Sequence, residues 1–64
     1  MPDVLKRLEE RIKRGEEAIK NAEILLDLAK RLDIDVMKEE TELEEAKARL
    51  EEFKKALEET KAKV

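Results

Sequence analysis

The apolar positions of this 64-residue chain begin with a stripe at Leu5, Leu8, Ile12, Gly15, Ile19, Ala22, Leu26 and Ala29, in alternating steps of three and four. Such steps return to one face of a helix with 3.6 residues per turn. A second stripe runs through Leu43, Ala46, Leu50, Phe53, Leu57, Thr60 and Val64. Between the stripes, Asp33 and Asp35 alternate with β-branched Ile34 and Val36, residues that favour turns and caps or lose side-chain freedom in a helix. The pattern predicts a helix over 3–32, a turn at 33–35 and a helix over 36–63. This is a single all-α domain, an antiparallel two-helix hairpin.

A turn centred on Ile34 sets Ile12 opposite Leu57, Ile19 opposite Leu50, Ala22 opposite Ala46 and Leu26 opposite Leu43. It also sets the one glycine, Gly15, opposite the one aromatic, Phe53. A helical glycine costs about 1 kcal/mol relative to alanine. Gly15 is therefore expected to form a socket for the ring, the other reading being a kink or short loop there. Asp33 tolerates a left-handed backbone better than most residues, and Asp35 is placed to accept from free N–H groups at the start of the second helix. Acid-to-base pairs four residues apart, among them Glu9–Lys13, Glu10–Arg14, Glu16–Lys20 and Glu51–Lys55, support both helices.

A second three-four series competes. It starts at Val4, Leu8, Arg11, Gly15 and Ala18, and continues through Leu32, Val36, Glu39 and Leu43 to the C-terminus without a break. Read that way, the chain is one helix of about 60 residues in a coiled coil. Arg11 and Glu39 then fall in the seam, and Leu5, Ile12, Ile19 and Leu26 fall outside it.

Helix one carries more apolar surface than one partner helix covers. Ala18, Leu25 and Leu32 form a second row, widened by Ile24 and Leu28, with Ile34, Val36 and Met37 nearby. An exposed apolar patch of this kind marks an interaction surface. Ala18, Ile24, Leu25, Leu28 and Leu32 are thus the expected interface, most economically between two hairpins forming a homodimeric four-helix bundle. A foreign helix docked on the same face is the alternative partner.

Charge adds an orientation. The net charge of −3 is unevenly spread: residues 1–20 hold six basic and five acidic side chains, residues 21–45 three and nine, and residues 46–64 six and four. A folded hairpin is therefore acidic at its bend and basic at its open end. An antiparallel dimer sets each bend beside the other's open end, a preference softened by salt.

Composition narrows the chemistry. With no Cys, His, Trp or Tyr, and no Ser, the chain lacks the usual nucleophiles, bases and zinc ligands. No catalytic, cofactor or metal site is expected. The carboxylates Glu39, Glu40, Glu42, Glu44 and Glu45 read as a solvated face, because a bundle di-metal site also draws on histidines. No apolar run approaches the roughly 20 residues of a membrane span, and no signal core is visible at the start, so a cytoplasmic location is the default expectation. Arg7, Arg11 and Arg14 form the one basic stripe that could contact a polyanion.

Two resemblances accompany this reading. The turn Leu32-Asp33-Ile34-Asp35, between two amphipathic helices, resembles the Leu-Asp-Ala-Asp turn of the Rop family of small helical hairpins. That resemblance implies an antiparallel four-helix bundle dimer and RNA binding through the first helices, where Arg7, Arg11, Arg14 and Asn21 hold the nearest matching positions. The family's contact surface includes a phenylalanine, whereas Phe53 here lies on the second helix. The Glu-, Lys-, Ala- and Leu-rich repetition of residues 44–63 resembles computationally designed helical proteins, whose surfaces are filled by helix propensity.

Overall fold

The computed structural model describes residues 2–64. Two helices, α1 (Pro2–Arg31) and α2 (Met37–Lys63), pack against each other along their length. The chain reverses between them, which excludes the single long helix. Helix α1 ends one residue before the expected boundary and α2 begins one residue after it. Pro2 suits the first helical position, where its missing N–H has no helical acceptor.

The reversal is built without glycine. Asp33 takes a left-handed backbone, with φ of 59°. Its N–H donates to the Lys30 carbonyl (3.1 Å) and the Ile34 N–H to the Ala29 carbonyl (2.9 Å). These two bonds form a Schellman motif, which satisfies carbonyls that the end of a helix leaves free. The Asp35 carboxylate accepts from the Met37 N–H (3.1 Å), but the N-cap position falls to Val36, one residue later than the sequence predicts, and makes no side-chain cap bond.

The interior is thin. Ile12, Val36 and Leu57 are the buried apolar residues, while Leu5, Leu8, Ile19, Leu26, Leu43 and Leu50 are half-buried along the same seam. Val36, expected in the exposed patch, instead closes the bend end of the seam. Its position at the cap of α2 directs it back between the helices.

The largest correction concerns Phe53. It is 49% exposed, and the side chain over Gly15 is Leu50, whose Cδ1 lies 3.3 Å from where a Cβ on that glycine would stand. Gly15 lies within one unbroken helix, so no loop divides α1 there, and it makes room for Leu50, not for the ring. Ala46 and Thr60 are exposed as well. Helix α2 is thus turned about its axis, so that Leu43, Leu50 and Leu57 line the seam while Ala46, Phe53 and Thr60 stand at its edge.

Because an L-residue with a side chain is disfavoured in the left-handed region, Asp33→Gly should stabilise the hairpin by about 1 kcal/mol. Asp33→Val should cost at least about 1 kcal/mol. Urea unfolding at one fixed protein concentration measures both, and equal stability of the three chains would contradict this account of the turn.

Candidate functional site

The seam has two unlike flanks. On the first, Lys61 Nζ donates to Glu9 Oε2 (3.0 Å), Lys54 Nζ to Glu16 Oε2 (3.0 Å), and Lys47 Nζ meets Glu23 Oε2 (3.0 Å). Lys30 pairs with Glu40 in the opposite polarity. Successive rungs are seven residues apart on each helix, so the ladder stays on one side of a hairpin whose stripes repeat with that period. Glu9 and Glu16, which the sequence pairs with Lys13 and Lys20 along their own helix, reach across to α2 instead.

Each rung raises its lysine above the ordinary value of 10.5. The hydrogen bond donated to the facing glutamate is the main cause in every case: to Glu40 for Lys30, Glu23 for Lys47, Glu16 for Lys54 and Glu9 for Lys61. The same carboxylates add coulombic attraction, and desolvation opposes the rise, outweighing that attraction for Lys47 and Lys61. The stems of Lys47, Lys54 and Lys61 lie half-buried over the seam, while Lys30 is exposed; the three cover apolar surface while their ammonium groups stay in water.

The opposite flank has no such closure. An open groove of about 420 Å³ runs between Arg11, Gly15 and Ala18 of α1 and Ala46, Arg49 and Phe53 of α2. It continues toward the bend past Leu25 of α1 and Glu39 and Glu42 of α2. Four of the five residues singled out from the sequence, Ile24, Leu25, Leu28 and Leu32, are 52–65% exposed, and Ala18 lines the groove. Leu25 and Ala18 border it directly, whereas Ile24 and Leu28 extend the apolar surface around the outside of α1. Ile34 and Met37 are exposed at the bend.

Sequence reasoning missed Phe53 as an edge residue. The signal was present in the order of charges: Glu9, Glu16 and Glu23 match Lys61, Lys54 and Lys47 in reverse at the same seven-residue interval. Satisfying those pairs requires the lysine row of α2 to face α1's glutamates, which turns Phe53 to the other side.

Of the arginines, Arg11 lines the groove while Arg7 and Arg14 are exposed on the surface of α1. The Thr41 and Thr60 hydroxyls donate to the Met37 and Ala56 carbonyls one turn back (3.1 and 2.9 Å). Among the described residues, no acidic cluster is arranged to hold a metal ion, and no helix is long and apolar enough to cross a membrane.

No family model matches the chain, and no curated protein or solved structure matches it. Function is therefore read from the two flanks.

The ladder sets a pH dependence. Lysines raised in the folded state contribute stability that is fully present below the unfolded value of 10.5 and is lost as pH rises through the folded values. Thermal midpoints should therefore fall between pH 9 and pH 12. A variant with Lys47, Lys54 and Lys61 replaced by Arg, which stays charged there, should fall less; equal losses would contradict a role for the ladder.

Proposed function

We propose that this protein is a self-assembling structural hairpin without catalytic activity, whose open flank packs on that of a second copy to complete a four-helix bundle. The observation that carries the reading is a surface surplus. The hairpin exposes 5718 Å², against about 4,200 Å² for a compact monomer of its 7.5 kDa mass. The excess of about 1,500 Å² per chain is well above the roughly 800 Å² that each partner buries in a standard stable interface.

Shape supports the same reading. The radius of gyration is 15.1 Å, where a compact domain of 64 residues has about 11 Å. The principal extents of 49 × 16 × 11 Å describe a slab one helix thick, so no side chain has cover on every side. The exposed leucines and isoleucines lie on one face of that slab and its rim. Each is worth about 1.5–3 kcal/mol on full burial, far more than the surface ion pairs of the opposite flank.

Self-association explains this face with a partner already at hand. A foreign helix docked in the groove would bury the same residues, and the two cases separate in the purified protein. The idealised surface and the "LDID" turn fit a hairpin built to assemble, whether of designed origin or of Rop-like kind. Contact of Arg7, Arg11 and Arg14 with RNA has no further support in the geometry.

Replacing Leu25 at the groove by a charged residue should abolish assembly. Sedimentation equilibrium of Leu25→Lys is expected to show monomers or loss of folded structure where the parent chain shows a dimer. An unchanged oligomer mass at low concentration would overturn the proposal.

A further inference from the structure

Two hairpins stacked by their open flanks with helices aligned are related by a two-fold axis in one of two directions. An axis along the helices lays α1 on the partner's α2 and sets the two bends together. It stacks two segments, residues 21–45 of each copy, that each hold three basic and nine acidic side chains. An axis across the helices lays α1 on the partner's α1 and α2 on the partner's α2, and brings each acidic bend to the other's basic open end. Charge favours the second.

Full overlap puts that axis at mid-length. The midpoint of α1 falls at residues 16–17 and that of α2 at Leu50, and the Glu16–Lys54 rung sets Phe53 level with residue 17, beside Ala18. At 1.5 Å per residue, Phe53 and Ala18 both lie within about 5 Å of mid-length, and both line the open groove. A residue on the axis meets its own copy. Residues to either side pair by equal offsets: Ala46 and Thr60 stand seven from Phe53, and Val4 and Leu32 fourteen from Ala18. Val4 and Leu32 are 53% and 63% exposed. At the outer edge of α2, Glu42 and Lys63 stand eleven and ten residues from Phe53, and neither is ion-paired among the described residues.

Resting on the self-association reading, we propose that the dimer axis runs across the helices through Phe53 and Ala18, with the two copies' Phe53 rings packed on each other at the centre of the interface. The chain's one aromatic, left 49% exposed by its own hairpin, is then covered by its copy, at the roughly 4.5–7 Å between centroids that offset or edge-to-face rings adopt. On the other helix the small Ala18 faces its own copy, so the two α1 helices approach closely where the rings hold the two α2 helices apart. Away from the axis every contact occurs twice. Val4 of each copy packs on the partner's Leu32, and Glu42 of each pairs with the partner's Lys63.

Single cysteines in this cysteine-free chain locate the axis. Ala46→Cys and Thr60→Cys change exposed positions and leave Phe53 and the seam intact. With Phe53 on the axis, each thiol faces the other variant's thiol and lies about 21 Å along the dimer from its own copy. Treated with a thiol crosslinker shorter than that distance, an equimolar mixture refolded together should yield at least ten-fold more covalent dimer than either variant alone. Phe53→Ala should raise the dissociation constant from sedimentation equilibrium at least ten-fold, with helix content by circular dichroism kept. A dimeric parent whose cysteine variants link to their own copies, or whose mixture links no better than they do, would overturn this docking and leave self-association standing, as would a Phe53→Ala chain that binds as tightly as the parent. A parent chain monomeric at hundreds of micromolar would overturn both.

Discussion

Two helices share a line of contact, not an interior. Every side chain on that line keeps one edge toward solvent, which is why only three apolar residues among those described are buried despite well-formed stripes on both helices. The rest of the structure follows from how the two edges of the line are treated. One is closed by lysines and glutamates within the chain; the other is left apolar and open.

The ladder does more for arrangement than for energy. Exposed ion pairs contribute little each, but four rungs at seven-residue intervals distinguish one rotational setting of α2 from its neighbours. The lysine stems lie over Leu43, Leu50 and Leu57 on that side. With that edge occupied, Ala46 and Phe53 are directed to the other, where they line the open groove with Gly15 and Ala18 of α1. The sidedness of the molecule is thus a consequence of where its charges pair, and the apolar flank collects what the ladder displaces. At the bend, Asp33 and Asp35 satisfy the free backbone groups so that the reversal occupies five residues, with Val36 sealing the seam beneath it.

Much of this was legible in the chain. The helices and the reversal follow from the three-four spacing and from Asp33 and Asp35, whose turn and cap chemistry the backbone realises. Leu25, Leu28, Leu32 and Ile24 could be recognised as surplus because one partner helix covers only one stripe. What the apolar pattern did not determine was the rotation of α2. Rows at Ala46–Phe53–Thr60 and Lys47–Lys54–Lys61 flank the same leucines, and hydrophobicity alone assigns the first row to the seam. The lysines' long aliphatic stems and their reversed match with Glu9, Glu16 and Glu23 decide otherwise. The same rotation accounts for the error at Gly15, which was paired with the one aromatic by size although Leu50 reaches it first.

The central claim is that the open flank is covered by a second copy lying alongside. Small-angle X-ray scattering tests it most directly, because mass and maximum dimension come from one curve. The account predicts twice the 7.5 kDa chain mass with a maximum dimension close to the 49 Å length of one hairpin, plus side chains. A monomer mass, or a dimer approaching twice that length, would contradict it.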